Sequence, residues 1–293
     1  MNLNDYRCAF TFVEQTTWHG KWETSYDIGG GKSDFGGAIR QMMPPYMNDG
    51  CNSVERLIAN MDYAQVQGAV VTQEYIDGNQ DDYLLKSKAK YPDRLRICSL
   101  YEETEDYKLE GFDGIKICAG RLTKVKLCEL SDLFGKAYEK DMFISIDMAD
   151  GDVQVAELQK LIDEYPNLRI AIGHFGMVTV DGWQKQIELA CNKNVFVESG
   201  GITWLFHKEF YPYPSAVDAI LEAKSICGME KLMWGSDYPR TMTAVTYRMS
   251  QDFITKSDKM TESDKKLFLG ENAKSFYRFD DLPEITYTFN MVE

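Results

Sequence analysis

Two short segments of the chain combine a side chain capable of acid–base chemistry with residues that form turns. Asp237 lies in Gly235–Pro239, directly after an apolar run, and His174 follows another apolar run inside Gly173–Gly176. An aspartate can act as a general base, and a histidine can carry protons or bind a metal. Both have structural interpretations too, since Gly-Ser-Asp-Tyr-Pro suits a turn and a histidine can be a satisfied core residue. For Asp237 both interpretations stay open, whereas a histidine between glycines at a strand end favours function.

Alternating strands and helices must position these residues. Short apolar, β-branched runs alternate with helical patterns along nearly the whole chain, which indicates a parallel sheet of βα units. The predicted strands are Arg7–Val13, Ala69–Gln73, Leu95–Leu100, Gly114–Cys118, Phe143–Met148, Arg169–His174, Val195–Glu198 and Leu232–Trp234. Eight such units close most economically into a (β/α)8 TIM barrel, an α/β fold; a doubly wound open sheet is the alternative.

Helices are predicted from apolar residues spaced by three and four. The first of them contains Val54 and Met61; Asn52 with Glu55 resembles a capping box at its start, and Gly68 is expected to end it. Three further helices have the same spacing. Their apolar positions are Leu130, Leu133, Phe134 and Ala137; Leu158, Leu161, Ile162 and Tyr165; and Val217, Ile220 and Leu221.

The whole chain, residues 1–293, is predicted to form one domain. Residues 14–52 make a connection far longer than usual, and long ordered loops at a barrel rim usually cover a site. Residues 280–293 end in a period-two apolar pattern that could add an edge strand or reach a second subunit.

Polar residues recur where the predicted strands end, which is where TIM-barrel enzymes place their reactive groups. Besides Asp237 and His174, these strand-end residues are Glu14, Gln73, Lys116, Asp147 and Glu198. Lys116 and Arg240 are the cations nearest the predicted mouth and suit a substrate carboxylate. For Arg240, a salt bridge to Asp147 or Glu198 is the alternative. Aromatic loop residues could line a pocket: Trp18, His19, Trp204, His207, Tyr211 and Tyr213.

Composition excludes several classes of protein. The net charge of −14 opposes a broad nucleic-acid or anionic-membrane surface. Seven scattered cysteines without a C-x-x-C pair argue against a disulfide framework or a thiolate zinc site. The start of the chain has an acid where a secretory signal has basic charge, so we expect a cytoplasmic protein. We expect its partner to be a small molecule.

Four motifs together resemble the amidohydrolase superfamily, in its branch of lactonase-like hydrolases and aminocarboxymuconate-semialdehyde-type decarboxylases. They are Trp234–Pro239, Gly173–Gly176, Gly111–Lys116 and Leu269–Ala273, and the resemblance runs from about Arg7 to Tyr277. It implies a distorted (β/α)8 barrel, and such barrels are often homodimers. The most specific motif is Gly-Ser-Asp-Tyr-Pro.

The metal site implied by this resemblance is degenerate. The family's first strand typically ends in Asp-x-His-x-His, whose histidines hold a divalent metal, whereas Phe10 and Phe12 stand at the corresponding positions. Many members also carry a histidine on strand five, where this chain has Asp147. Some lactonase-like members work without metal. We therefore expect no cofactor; the alternative is Mn or Zn held by Asp147, His174 and Asp237, with Glu14 as a further ligand.

Three functional hypotheses follow. The first is a metal-independent hydrolase that opens a lactone or ester of a small carboxylated molecule, with Asp237 as base and His174 as acid or oxyanion donor. The second is a metal-dependent decarboxylase or hydrolase of an aromatic or enoic acid. Under the first hypothesis, Asp237 and His174 could instead move a proton on and off a carbon next to a carbonyl, as in an isomerase. The third is a binding barrel that has lost catalysis.

Overall fold

The computed structural model describes residues 16–17, 24–35, 37–47, 52–74, 79–104, 107–289 and 291. Its main element is a seven-stranded sheet in which strands that follow one another along the chain are neighbours, in the order β11-β10-β9-β8-β7-β6-β5, and all pairs are parallel. The strands are β5 (Ala69–Val71), β6 (Leu95–Leu100), β7 (Gly114–Ile117), β8 (Phe143–Ile146), β9 (Arg169–Ile172), β10 (Val195–Glu198) and β11 (Leu232–Met233). The fold is a distorted (β/α)8 TIM barrel. The prediction for Arg7–Val13 lies outside the described residues.

Helices cover the outer face of the curved sheet. They are α1 (Val54–Ala64), α2 (Asp81–Lys90), α3 (Ser131–Glu139), α4 (Val155–Glu164), α5 (Trp183–Glu188), α6 (Ile202–Leu205), α7 (Pro214–Cys227), α8 (Met249–Thr255), α9 (Glu262–Lys266) and α10 (Asn272–Tyr277). The apolar positions predicted on α3 and α4 are buried, as Leu133 and Leu158 illustrate, except for the partly buried Tyr165 directly after α4. Replacing such a buried leucine with alanine typically lowers the free energy of unfolding by about 2–5 kcal/mol.

Alternation along the strands decides which side chains reach the barrel interior. On β8, Ile144 and Ile146 belong to the apolar cluster shared with the helices, whereas Phe143 belongs to a separate cluster with Cys98 and Tyr277. Ser145 lines the interior cavity, as does Asp147 directly after the strand. Because successive side chains point to opposite faces, the inward row of β8 runs from a packed aromatic ring to a carboxylate at the carboxyl end.

The first predicted helix is present, but its predicted ends are wrong. Ser53 is the N-cap residue and makes no side-chain capping bond, while Asn52 accepts a hydrogen bond from the Tyr238 hydroxyl at 2.8 Å. The helix ends at Ala64 because Gln65 takes the left-handed conformation, ahead of Gly68. The Asn52 side chain thus ties the start of α1 to the turn that carries Asp237.

The long connection after the first predicted strand contains a second sheet that sequence patterns did not predict. Strands β1 (Thr16–Thr17), β2 (Thr24–Asp27), β3 (Lys32–Phe35) and β4 (Ala38–Gln41) form an antiparallel sheet in that order. After β4, Met42 and Met43 line the same cavity as Asp237. Part of this connection therefore contributes to the cavity lining.

Of the two possibilities for the end of the chain, the edge strand is not formed, since residues 280–289 contain no strand, while contact with a second subunit stays a prediction. Pro283 lacks an N–H, and its carbonyl accepts a hydrogen bond from the Gln67 side chain at 3.0 Å. The period-two pattern instead brings the rings of Tyr287 and Phe289 together at 5.2 Å. Among the described residues, no helix combines the length and apolarity needed to cross a membrane.

Candidate active site

Charged side chains meet at the carboxyl ends of β7 to β11. The cavity that they line has a volume of about 1400 Å³ among the described residues. Residues of β5 and of β11 contribute to its lining as well. The chemistry concerns its carboxyl end, where His174, Asp147, Lys116 and Asp237 all contribute to the lining.

Both predicted catalytic residues lie in strained turns. His174 and Asp237 have φ values of 51°, in the left-handed region, which non-glycine residues seldom adopt and which is often associated with functional sites. Glu198 stabilises the first turn: its carboxylate accepts the backbone N–H of His174 at 3.1 Å and that of Gly200 at 2.8 Å. Glu198 thus positions the histidine through the backbone.

Two glycines make space for the carboxylates of the site. A Cβ at Gly173 would lie 2.1 Å from Asp147 Oδ1, and one at Gly235 would lie 1.9 Å from Glu198 Oε2. Such distances are far below van der Waals contact, so larger residues would displace the carboxylates. The glycines in the two sequence motifs therefore have a steric purpose as well as a role in the turn.

Lys116, Asp147 and His174 form a buried charge cluster. Lys116 Nζ lies 2.6 Å from Asp147 Oδ2, and His174 Nε2 lies 3.5 Å from the same oxygen. Burial alone would lower the pKa of Lys116 and raise that of Asp147, but their mutual attraction raises the lysine pKa and lowers the aspartate pKa. The ammonium that we predicted for substrate binding is thus held by a protein carboxylate.

His174 is positively charged over a wide pH range. Burial lowers its pKa, but the Asp147 carboxylate outweighs this and raises the pKa to about 10. Hydrogen bonding agrees: His174 Nδ1 lies 3.0 Å from the Gly200 carbonyl oxygen, which can only accept, so Nδ1 carries a proton. At 3.5 Å from Asp147 Oδ2, Nε2–H makes an ion pair but no close hydrogen bond, and it can still donate to a substrate oxygen.

Asp237 is bound by an indole rather than by a cation. Trp204 Nε1 donates a hydrogen bond to Asp237 Oδ2 at 2.6 Å, and Arg240 Cζ lies 4.4 Å from the centroid of the same indole ring. The alternative salt bridge of Arg240 to Asp147 or Glu198 is not present. Within the described part of the chain, no carboxylate oxygen lies within 4.0 Å of the Arg240 guanidinium.

The remaining predicted site residues are placed differently. Gln73 is buried, and its side-chain amide donates to Asp81 Oδ1 and to the Cys98 carbonyl oxygen, while its carbonyl accepts from the Gln80 N–H. These bonds occupy the amide within the barrel wall.

Five further predicted site residues lie outside the described residues. They are Phe10, Phe12, Glu14, Trp18 and His19.

A polar group beside the cavity was missed by sequence reasoning. Arg121 Nε lies 3.1 Å from Glu74 Oε1, and the Cys118 thiol donates to that oxygen at 3.4 Å. Glu74, Cys118 and Asp147 offer ligand atoms that all lie within 4.8 Å of one another. Burial raises the pKa of the Cys118 thiol well above its ordinary value. Their positions at or just after strand ends were the available signal, but nothing in the sequence indicated that they meet.

Comparisons with known proteins agree with this architecture. The family model described as Amidohydrolase matches residues 18–279. A solved structure described as a candidate 2-pyrone-4,6-dicarboxylic acid hydrolase from Pseudomonas putida superposes with a TM-score of 0.65 at 20% identity, covering 80% of this chain and 90% of that one.

Two further solved structures have the same fold. One is described as a 2-pyrone-4,6-dicarboxylic acid hydrolase candidate from Acinetobacter baumannii with citric acid bound; it gives a TM-score of 0.61 at 19% identity and covers 78% of this chain and 90% of that one. The other is a zinc-bound amidohydrolase from Burkholderia multivorans. It gives a TM-score of 0.62 at 13% identity and covers 78% of this chain and 88% of that one. No curated protein matches the sequence.

Proposed function

The chain belongs to the amidohydrolase-2 family, and we propose that it is a hydrolase that opens a lactone or related ester of a small carboxylated molecule. The observation that carries this proposal is that Asp237, bound by an indole N–H, and His174 line one cavity, after β11 and β9 on either side of β10. A carboxylate can remove a proton from water, and a fixed cation can stabilise the oxyanion that forms.

The proposed reaction uses these two groups in sequence. Asp237 accepts a proton from water as the water oxygen attacks the lactone carbonyl, and the carbonyl π electrons move onto oxygen. The His174 Nε2–H stabilises that oxyanion. When the tetrahedral intermediate collapses, the ring C–O bond breaks, and the proton on Asp237 passes to the leaving oxygen. The products are a free hydroxyl and a new carboxylic acid, which then loses its proton to solvent and becomes a carboxylate.

The charge state of His174 favours the role of oxyanion donor over that of general acid. An acid transfers protons best when its pKa lies near the working pH. A histidine whose pKa is raised to about 10 releases its proton reluctantly at neutral pH, but it keeps a full positive charge throughout the reaction. We therefore assign proton transfer to Asp237 and charge stabilisation to His174.

Among the described residues, the donor atoms at this site are occupied by other contacts, which opposes a divalent metal. Lys116 places an ammonium 2.6 Å from Asp147 Oδ2, where a metal ion would have to bind. In the Glu74 group, Arg121 is paired with the Glu74 carboxylate and the buried Cys118 thiol holds its proton. A metal needs deprotonated, unpaired ligands, so these contacts support hydrolysis without metal.

Arg240 is the proposed binding group for the substrate carboxylate. Its guanidinium lies against Trp204, next to Asp237, and within the described residues it has no acidic partner within 4.0 Å. A guanidinium binds a carboxylate through two parallel hydrogen bonds. The chain has a net charge of −14, which repels anions. A cation in the cavity therefore provides a local site at which an anionic substrate can bind.

A hydrolysis panel tests the proposal. We expect ring opening of δ-lactones and 2-pyrones that carry a carboxylate, beginning with 2-pyrone-4,6-dicarboxylic acid, and we expect Asp237→Asn to lower kcat by about 10²–10⁴-fold. Asp218→Asn is the matched control, because Asp218 is paired with Lys259 on the surface. Full activity in Asp237→Asn would show that Asp237 is not the base.

Other outcomes favour the alternative functions. Carbon dioxide release would indicate the decarboxylase, and double-bond migration without water uptake would indicate the isomerase. Carboxylate binding without any turnover would indicate a binding barrel.

A further inference from the structure

Trp204 is packed between a glycine and an arginine. Gly201 has a φ of 79°, and a Cβ there would lie 2.3 Å from Trp204 Nε1, so only glycine lets the indole lie in this position. The Arg240 guanidinium stacks on the indole, with Cζ 4.4 Å from the ring centroid. The indole is therefore fixed by its own backbone on one side and by a cation on the ring face.

The same indole is also bonded to the proposed base. Its only N–H donates to Asp237 Oδ2 at 2.6 Å, a short bond to a charged acceptor. This bond occupies Oδ2 and leaves the other carboxylate oxygen, Oδ1, for a water molecule. The indole edge further lies near His174, with ring centroids 6.1 Å apart. Trp204 thus contacts the arginine, the base and the histidine at once.

We propose that Trp204 is a positioning residue that couples carboxylate binding at Arg240 to the orientation of Asp237. An arginine that stacks on an aromatic ring keeps its planar N–H groups free at its edge. A substrate carboxylate that binds this edge holds the guanidinium on the indole, and the indole N–H then holds Asp237. This inference rests on the proposed function for its chemistry, but its binding half can be tested without turnover.

A consequence for substrate choice follows. The preferred substrates carry a carboxylate separate from the bond that is cleaved, because that carboxylate organises the base. A neutral analogue of the same shape, with an amide in place of this carboxylate, should lose kcat as well as affinity. Binding energy from a remote group that is used to organise the reacting centre has this effect.

Trp204 fluorescence reports the binding half. The probes are benzoate and isophthalate, with benzamide and isophthalamide as neutral counterparts of the same shape. The difference between the wild-type and Trp204→Phe emission isolates Trp204 from the other four tryptophans. We expect the carboxylates, but not the amides, to change this difference signal, and Arg240→Gln to abolish the response. Equal responses to acid and amide, no response to either, or an unchanged response in Arg240→Gln would overturn the inference.

Kinetics test the coupling. Trp204→Phe keeps an aromatic face for Arg240 but loses the N–H, so we expect kcat to fall about 10- to 100-fold with KM changed less than threefold. We expect Arg240→Gln to raise KM and lower kcat, and Arg240→Lys to restore KM more than kcat. Trp234→Phe is the matched control, since it also removes an indole hydrogen bond, here to the Ser250 carbonyl at 3.0 Å.

Failure of this inference and failure of the proposed function give different results. Unchanged kcat in Trp204→Phe, together with a large loss in Asp237→Asn, would refute the coupling and retain the hydrolase. Absence of turnover in the wild type, together with carboxylate-specific Trp204 fluorescence that needs Arg240, would refute the hydrolase and retain the binding half. Wild-type turnover that is equal on acid and amide substrates refutes the coupling even if Trp204→Phe fails to fold.

Discussion

Replacing Asp147 with asparagine removes the carboxylate that lies between two buried cations. In the native protein, His174 is held as an imidazolium because Asp147 outweighs the effect of burial and raises its pKa to about 10. Compared with an ordinary value of 6.5, and at about 1.4 kcal/mol for each pH unit, this corresponds to roughly 5 kcal/mol in favour of the charged form. In Asp147→Asn, burial, the largest effect on this pKa, and Lys116 act against the imidazolium, and Asp237 alone of the named groups still favours it, so we expect its titration midpoint to fall below 6.5.

The pH dependence of stability follows from the same shift. A histidine whose pKa is raised on folding contributes its full stabilisation below about pH 6.5, and that contribution is lost as the pH rises through about 10. We expect the free energy of unfolding of the native protein to fall across that range. Loss of one partner from a buried ion pair costs about 3–5 kcal/mol, so Asp147→Asn should be less stable at neutral pH by roughly that amount.

Histidine NMR measures the shift directly. The chain has three histidines, so single replacements of His19 and His207 are enough to assign the His174 resonance. Asp218→Asn is the control, because it makes the same chemical change at a surface acid. A His174 midpoint near 6.5 in the native protein, or the same midpoint in native and Asp147→Asn protein, would refute the proposed electrostatics.

Two further predictions concern the frame around the site and are measured by chemical denaturation. Gly235→Ala places a Cβ against the Glu198 carboxylate and should lower the free energy of unfolding by at least about 1–3 kcal/mol. In the control Gly270→Ala, the Cβ meets nothing within 4 Å, so the stability should stay within about 1 kcal/mol of the native protein. Equal stability of the two variants would contradict the steric role. Asn272→Ala removes two buried hydrogen bonds, to the carbonyls of Met229 and Leu232, and should cost about 2–3 kcal/mol. Asn194→Ala, which loses one exposed bond, should cost less than about 1 kcal/mol.

The described barrel strands could be predicted because their sequence signal is local. Leu95–Leu100 and Val195–Glu198 have the predicted bounds, since each is a short, mainly apolar run with turn residues on either side. Where bounds differ, the structure ends the strand one residue earlier, as at Gly114–Ile117, or two residues earlier, as at Ala69–Val71. A local signal of the same kind marks the ends of α2 and α4, since proline directly follows their C-cap residues, Tyr91 and Tyr165.

The contacts within the site could not be predicted in this way. The bond from Trp204 to Asp237 joins residues 33 positions apart, and its geometry depends on the left-handed turn at Gly201. Lys116 was correctly placed at a strand end, but its capture by Asp147 depends on the register of β7 against β8. Asn52 shows the same limit, since a hydroxyl distant in sequence competes successfully with the local cap.

The most direct test of hydrolysis by Asp237 and His174 is metal analysis combined with rate measurement on the same sample. The protein is purified without chelator, its metal content is measured, and the rate of lactone opening is recorded before and after dialysis against a chelator. We expect well below one divalent ion per chain and an unchanged rate after dialysis. About one tightly held ion per chain, whose removal abolishes activity and whose return restores it, would contradict the proposed mechanism.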